Sequence, residues 1–263
     1  MEENKKFKLV TSKKTRYLLP NILTLGGVCL GISSIKFSID GNYTLAVNLI
    51  LFAAILDALD GRIARLIKGT SEFGKELDSL TDFVSFGIAP VFLLYFWELN
   101  NYGKLGWAIT LIYSVCCVLR LARFNLTKTD EEQKWKDNYF EGIPSPAGGL
   151  LILIPLIYEL INFNVIYNIK SITPYLTIIV AMLLVSKIPT LSLKKISISP
   201  KTTVFLLLTV GIIFISFLFY TLQTLLIFGI GYLLTIPISI ILYNKQNKKD
   251  LKKILEEDRE DVL

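Results

Sequence analysis

The sequence predicts an all-α polytopic membrane protein that crosses the bilayer about eight times. Apolar residues make up 52% of the 263 residues, and they are gathered into long blocks separated by short charged segments. A helix needs roughly 20 mostly apolar residues to cross a hydrocarbon core about 30 Å thick. Because the blocks do not alternate apolar and polar residues, helices are favoured over a β-barrel.

The predicted spans follow one another along most of the chain. They occupy residues 17–35, 43–67, 77–99, 105–124, 149–163, 172–188, 203–220 and 222–243. The fifth block is short and the last two are nearly continuous, so the number depends on how these blocks are divided. We therefore expect a basic N-terminal segment (1–16), a membrane domain (17–244) and a charged cytoplasmic tail (245–263). A cleaved signal peptide is the alternative for the basic start, but the first apolar block is long and no small-x-small cleavage site follows it.

The basic residues indicate the orientation of the spans. If the N-terminus and every second connection lie in the cytoplasm, these segments contain all but three of the 28 Lys and Arg residues. The exceptions are Lys36, Lys104 and Lys170. This asymmetry follows the positive-inside rule and predicts an even number of spans in the cell membrane, with both termini cytoplasmic. The net charge of +6 then reflects topology and affinity for anionic lipids rather than nucleic-acid binding.

The composition also excludes several kinds of chemistry. Histidine is absent, so the chain has no histidine metal ligand, no Ser-His-Asp triad and no imidazole base. The three cysteines, Cys29, Cys116 and Cys117, lie within apolar blocks, where reduced packing residues are the default.

Four aspartates stand out in the second and third predicted spans. Asp57 and Asp60 are three residues apart and share one helix face, and Asp78 and Asp82 are four apart and share another. A short turn separates the two helices, so we expect them to be antiparallel neighbours. The four carboxylates would then face one another near the cytoplasmic surface of the bilayer.

The negative charge of such a cluster requires a compensating positive charge. A charged side chain at membrane depth costs about 2.5–3.5 kcal/mol on insertion scales. Divalent cations offset this cost, and carboxylate oxygens suit Mg²⁺, Mn²⁺ or Ca²⁺. Gly61 and Gly74 would let a bulky ligand approach the backbone, and Arg65 offers a guanidinium fork for a phosphate. Two alternatives use the same residues: structural ion pairs with Arg62, Arg65 and Lys75, or a cation or proton pathway.

The pattern D-x-x-D-G-x-x-A-R, followed after eight residues by G-x-x-x-D-x-x-x-D, resembles the signature of the CDP-alcohol phosphotransferases. The fixed positions are Asp57, Asp60, Gly61, Ala64, Arg65, Gly74, Asp78 and Asp82. The resemblance implies a six-helix catalytic core, here with two further C-terminal helices, and a homodimer. It also implies a divalent metal, Mg²⁺ or Mn²⁺, bound by Asp57, Asp60 and Asp78.

The same resemblance assigns the remaining positions of the signature. Asp82 would be the base that deprotonates the acceptor hydroxyl, and it would also border a second metal ion. The CDP part of a CDP-diacylglycerol-type lipid would be held by Asp57, Gly61, Ala64, Arg65 and Gly74.

Four segments outside the signature resemble the branch of that family whose acceptor alcohol is serine. They lie at 20–24 (P-N-I-L-T), 79–90, 120–125 (R-L-A-R-F-N) and 141–148 (E-G-I-P-S-P-A-G). The resemblance implies that Asn21 and Thr24 contact the CDP or a metal-bound phosphate. It also implies that the acceptor, L-serine, is contacted by Arg120, Arg123, Asn125 and Ser145.

Simpler alternatives exist for these segments and for the function. Asn21 is suited to cap a helix, Arg120 and Arg123 to anchor a span, and Pro144 and Pro146 to start one. The resemblance implies transfer of a phosphatidyl group to serine by a single displacement, with CMP as the leaving group. The alternatives are another acceptor, such as glycerol 3-phosphate or inositol phosphate, and a membrane cation transporter.

Overall fold

The computed structural model describes residues 18–67, 71–126, 139–161, 169–191 and 200–260, and these residues are mostly helical. Within them, five helices are long and apolar enough to cross a membrane. Two shorter apolar helices, Ile169–Val185 and Leu207–Phe219, accompany these five. The predicted class, an all-α polytopic membrane protein, is confirmed, whereas the predicted basic segment 1–16 lies outside the described residues.

The described part of the chain contains ten α-helices and two short strands. The helices are α1 (Leu18–Ile39), α2 (Tyr43–Leu66), α3 (Glu72–Asp82), α4 (Ala89–Trp97), α5 (Lys104–Leu126), α6 (Ser145–Ile152), α7 (Ile154–Ile161), α8 (Thr173–Val185), α9 (Pro200–Phe219) and α10 (Thr221–Glu260). The strands are β1 (Tyr139–Glu141) and β2 (Pro189–Leu191). A π-helix, Phe83–Ile88, joins α3 to α4.

Side-chain caps define where the two aspartate-bearing helices begin. The Asn42 side chain accepts a hydrogen bond from the Leu45 N–H at the start of α2, and Ser71 accepts one from the Gly74 N–H at the start of α3. Each cap satisfies one of the N–H groups that have no partner within the helix. The turn before α2 contains Gly41 with φ +77°, a conformation that other residues rarely adopt.

The continuous run of α3, the π-helix and α4 is the most buried of the candidate spans. Its π segment shifts the backbone register, and α5 donates to two of its carbonyls. The Tyr113 and Ser114 hydroxyls donate to the carbonyls of Phe86 (3.0 Å) and Gly87 (3.3 Å). In the other direction, the Ser85 hydroxyl of the π segment donates to the Gly27 carbonyl of α1 (3.1 Å). The surrounding core is apolar, and large apolar side chains on the outer faces are exposed. That distribution is expected of helices that face lipid.

Two features differ from the simple pattern of apolar blocks. The fifth predicted span, 149–163, is two helices, α6 and α7, which meet at Leu153. Pro155 has no N–H to donate to the carbonyl of Leu151, so a continuous helix would lose that bond. At the other end of the chain, α10 continues through the predicted tail boundary at 245 to Glu260.

A small antiparallel sheet joins two connections that are distant in sequence. Strand β1 pairs with β2 so that Phe140 lies opposite Thr190. Beyond the strands, the Gly142 N–H donates to the Ile188 carbonyl (2.8 Å), and the Thr190 hydroxyl donates to the Gly142 carbonyl (2.7 Å). Gly142 has φ +72° and lies so close to the carbonyl of Ser186 that an added Cβ would be 2.8 Å from it. The sheet therefore fixes the chain that leads into α6.

Candidate functional site

Three of the four predicted aspartates come together. Asp57 and Asp60 on α2 and Asp78 on α3 offer carboxylate oxygens that all lie within 4.8 Å of one another. Asp60 is buried and Asp57 is half-buried. The spacing argument therefore placed these residues correctly, although α1 also helps to hold the two helices at the site.

A hydroxyl from α1 holds Asp60. Thr24 Oγ1 donates to Asp60 Oδ2 at 2.6 Å and also lies 3.0 Å from the Pro20 carbonyl oxygen. Thr24 is buried, so its hydroxyl bonds to the Asp60 carboxylate rather than to water. The structure thus shows Thr24 in contact with Asp60, while its predicted contact with the CDP or a metal-bound phosphate stays a prediction.

Asp82 lies beside this cluster at the end of α3. Its carboxyl group is close enough to those of Asp57 and Asp78 to interact with both electrostatically. Its Oδ1 atom is buried and has no hydrogen-bond partner. A buried carboxylate oxygen without a partner is costly, so a group absent from the structure is expected to occupy the adjacent space.

The alternative of structural ion pairs receives no support from these contacts. Among the described residues, none of the four aspartates has a Lys or Arg nitrogen within 4.0 Å. Lys75 instead pairs with Glu72 at 3.0 Å, and Arg65 Nε donates to the Gly61 carbonyl at 3.0 Å. The negative charges therefore lack the basic partners that a structural cluster would need.

The residues present suit a divalent cation. Three carboxylates with mutually close oxygens form a hard, all-oxygen donor set of the kind that Mg²⁺ and Mn²⁺ prefer. The orphaned oxygen of Asp82 adds a possible further donor at the edge of the set. Asp57, Asp60 and Asp78 would hold the ion.

The predicted CDP-binding residues lie around an open side of the cluster. A Cβ added to Gly61 would meet nothing within 4 Å, and Arg65 is exposed one turn further along α2. Gly74 is more confined, because an added Cβ would lie 3.1 Å from Ser71 Oγ and 3.3 Å from Asn21 Oδ1. Asn21 is thus brought next to the signature, while its predicted role as a ligand contact stays a prediction.

Two of the predicted acceptor residues meet near Asp82. The guanidinium of Arg120 on α5 donates from Nη1 to Ser145 Oγ at 2.6 Å. Ser145, the first residue of α6, is fully buried. Arg120 interacts electrostatically with both Asp82 and Asp57. A guanidinium has five N–H donors, and among the described residues only the bond to Ser145 uses one of them.

The other two acceptor candidates have different surroundings. Arg123 donates from Nη1 to the Val185 carbonyl, the last residue of α8, at 2.7 Å. Asn125 donates from Nδ2 to Ser79 Oγ at 3.0 Å, next to Asp78 in the sequence. Arg120 and Ser145 thus bond to each other, and Arg120 interacts electrostatically with Asp82, whereas Arg123 and Asn125 bond to α8 and α3.

One contact, between α10 and β2, was not predicted from the sequence. The Ser239 hydroxyl on α10 donates to the Pro189 carbonyl of β2 at 2.7 Å, so the last helix is fixed to the small sheet. No local sequence pattern predicts this contact, because it joins segments more than 40 residues apart and depends on the β1–β2 sheet.

Comparisons with known proteins agree with the signature. A family model described as CDP-alcohol phosphatidyltransferase matches residues 17–240. A relative from Mycobacterium leprae, named CDP-diacylglycerol--serine O-phosphatidyltransferase, is 40% identical over 187 residues, which cover 70% of this chain and 61% of that protein. The family resemblance predicted from the signature is confirmed.

Two further relatives have the same name. The Mycobacterium bovis protein is 42% identical over 137 residues, covering 52% of this chain and 48% of its own length. The Helicobacter pylori protein is 32% identical over 200 residues, covering 76% of this chain and 82% of its own length. The match therefore spans about half to three fifths of the mycobacterial relatives and most of the H. pylori relative.

Proposed function

The chain belongs to the CDP-alcohol phosphatidyltransferase family, and we propose that it transfers the phosphatidyl group of CDP-diacylglycerol, or of its ether-lipid analogue, to L-serine. The products would be phosphatidylserine and CMP. The names of the relatives support this donor and acceptor. The observation that carries the proposal is the convergence of three carboxylates beside Asp82, whose buried Oδ1 has no partner.

Asp82 is proposed as the base. It would accept the proton of the serine hydroxyl while the hydroxyl oxygen forms a bond to the phosphorus that carries the lipid. The bond from that phosphorus to the oxygen of CMP would break, and CMP would leave with the bonding electron pair. No histidine competes for the role of base or of a covalent intermediate, which supports a single displacement.

A divalent cation, Mg²⁺ or Mn²⁺, would be held by Asp57, Asp60 and Asp78 and would neutralise charge on the pyrophosphate and on the leaving oxygen. The open space beside Gly61 would admit the CDP moiety, and Arg65 next to it would bind a phosphate. Proximity and electrostatics would supply most of the catalysis, as they do in phosphoryl transfer generally.

Arg120 and Ser145 are proposed to bind the carboxylate of serine. Because Arg120 interacts electrostatically with Asp82, a carboxylate bound by its remaining donors would hold the serine hydroxyl near the proposed base. Charge-assisted hydrogen bonds from a guanidinium fork are among the stronger polar contacts. We further propose that the site faces the cytoplasm of a cell membrane and that the enzyme is a homodimer.

The test is CMP release by purified protein in CDP-diacylglycerol micelles with Mg²⁺ or Mn²⁺. L-serine is compared with glycerol 3-phosphate, inositol phosphate and no acceptor. We expect serine to drive release, and Asp82→Asn to reduce kcat by about 10²- to 10⁴-fold because it removes a general base. A matched control is Asp40→Asn, since Asp40 is an exposed carboxylate that pairs with Lys36 in the connection between α1 and α2.

The outcomes separate the alternatives. Release driven by another alcohol would retain the family and reject serine as the acceptor. An absence of release with every acceptor and metal, from protein shown to be folded, would favour cation transport. Full activity of Asp82→Asn would reject the proposed base.

A further inference from the structure

The hydroxyl of Ser145 joins the start of α6 to two side chains of α5. Ser145 is fully buried at the first position of α6. Its Oγ atom accepts a hydrogen bond from Arg120 Nη1 at 2.6 Å and a second one from the thiol of Cys117, whose Sγ lies 3.7 Å away. Cys117 precedes Arg120 by three residues, so both donors lie on the same face of α5.

These two bonds restrict the direction of the Ser145 hydroxyl proton. A serine hydroxyl has one O–H to donate and two lone pairs with which it accepts. Because Arg120 and Cys117 use the two lone pairs, the proton is directed away from both donors. Among the residues that the structure describes, none accepts it. A buried donor without an acceptor is costly, so an oxygen of a bound ligand is the expected partner.

The thiol of Cys117 is itself fixed by close packing. Cys117 is fully buried, and a Cβ added to Gly87 of the π segment would lie 3.0 Å from its Sγ. The same face of α5 donates to two carbonyls of this segment, through Tyr113 and Ser114. The sulfur therefore lies between the π segment on one side and the Ser145 hydroxyl on the other.

The backbone of Ser145 is fixed independently of the thiol. A Cβ added to Gly149, one turn further along α6, would lie 3.1 Å from the carbonyl oxygen of Phe86. This close approach holds α6 against the π segment, so the freedom left to Ser145 is the rotation of its side chain. Loss of the thiol should therefore change the direction of the hydroxyl without displacing the helix.

We propose that Cys117 is a positioning residue for the acceptor: with Arg120, its thiol orients the Ser145 hydroxyl so that the proton is donated to the carboxylate of the bound alcohol. This inference rests on the proposed function, in which Arg120 and Ser145 bind the carboxylate of serine. A donor at the second lone pair reduces the directions open to the proton from two to one. Among the described residues, no hydrogen bond joins Cys117 to an aspartate, so the effect is on the acceptor and not on the metal.

The first test is the KM for L-serine in CMP release by Cys117→Ala. We expect this KM to rise about threefold, the lower end of the effect of a neutral hydrogen bond, because a thiol is a weak donor. The kcat and the KM for CDP-diacylglycerol should be unchanged. Cys117→Ser restores a donor, so its KM for serine should be closer to that of wild type.

The matched control is Cys116→Ala, at the neighbouring cysteine of α5, which is only partly buried and does not bond to Ser145. It should change none of the three parameters. An unchanged KM for serine in Cys117→Ala, or equal rises in both KM values, would overturn the proposal.

A double-mutant cycle shows whether Cys117 acts through Ser145. Ser145→Ala removes the hydroxyl and should raise the KM for serine about tenfold, because a hydrogen bond to a charged group is lost. If the thiol acts by orienting that hydroxyl, adding Cys117→Ala to Ser145→Ala should cause no further rise. A further threefold rise in the double variant would show that the thiol acts by packing and would refute the positioning role.

Failure of this inference and failure of the proposed function give different results. Wild-type protein that releases no CMP with serine contradicts the proposed function before any variant is compared. Wild-type protein that responds to serine, with an unchanged KM in Cys117→Ala, refutes the inference alone. Thermal unfolding in detergent checks that each variant is folded; if Cys117→Ala is not, Cys117→Val replaces it as a variant that fills the site without a donor.

Discussion

Two different roles have been assigned to Thr24 on α1, and removing its hydroxyl would distinguish them. Its 2.6 Å hydrogen bond to Asp60 Oδ2 predicts a role in metal binding, whereas the sequence resemblance implies direct contact with the CDP-lipid. Thr24→Val keeps the shape of the side chain and removes the donor. We expect the variant to bind its metal more weakly while its KM for CDP-diacylglycerol at saturating metal stays unchanged.

The expected size follows from the contact. A hydrogen bond to a charged group contributes about 1.5–3 kcal/mol, and about 1.4 kcal/mol corresponds to a factor of ten in binding. The Thr24 hydroxyl is shared with the Pro20 carbonyl at 3.0 Å, so the lower end of the range applies. The metal concentration for half-maximal activity should therefore rise about tenfold, which is also typical when a group behind a metal ligand is removed.

The assay is the rate of CMP release as a function of Mg²⁺ and, separately, of Mn²⁺. Thr24→Ser retains the donor and should remain near wild type. Thr110→Val is the control, because Thr110 is equally buried but donates to the Gly106 carbonyl on α5. A higher KM for CDP-diacylglycerol with an unchanged metal dependence would refute the reasoning and favour direct contact with the lipid.

Three further predictions concern the acceptor site, the packing of α5 and the orientation of the protein in the membrane. Arg120→Lys replaces a fork by a point charge, so the KM for serine should rise about tenfold or more while the KM for CDP-diacylglycerol is retained. Gly106→Ala would place a Cβ 1.8 Å from the Leu99 carbonyl oxygen, and we expect thermal unfolding to show a loss of about 3 kcal/mol, the upper part of the range for overpacking. In a cysteine-free background, a membrane-impermeant maleimide added to cells should label Lys104→Cys but not Lys75→Cys.

Each of these predictions has a matched control or a contrary outcome. Arg120→Lys contradicts the acceptor role if it raises the KM for the CDP-lipid instead of that for serine. Gly211→Ala is the control for Gly106→Ala, because a Cβ at 211 would meet nothing within 4 Å. Labelling of Lys75→Cys from outside would reverse the proposed orientation of the site.

Hydrophobic blocks predicted the helices well because the membrane leaves few other ways to satisfy a backbone. In lipid, a single crossing segment must form its hydrogen bonds internally, so an apolar block of sufficient length is helical. The prediction was less accurate where a local feature competes with this rule. Pro155 divides the fifth block into α6 and α7, and the π-helix Phe83–Ile88 depends on carbonyl partners that other helices supply.

The site was predictable to the extent that it depends on spacing within helices. Asp57, Asp60 and Asp78 meet because positions three or four apart share a face and a short turn returns the chain. The partners that orient them come from elsewhere. Thr24 reaches Asp60 from α1, and the segment that leads into α6 is held by the Thr190 hydroxyl through a two-stranded sheet that no periodicity indicates.

The two arginines of the R-L-A-R-F-N segment show how one motif combines two kinds of role. Arg123 donates to the carbonyl of Val185 at the C-terminus of α8, where a positive charge is favourable to the helix dipole. This contact joins α5 to α8, while the predicted roles of Arg123 as an acceptor contact or a topology anchor stay predictions. Arg120 lies almost one turn earlier; its buried partner is Ser145, at the start of α6, and it interacts electrostatically with Asp82. Because α5 presents both guanidiniums to its neighbours, the same helix contacts α8 through Arg123 and α6 through Arg120, and our proposal gives only Arg120 the further role of binding the carboxylate of serine.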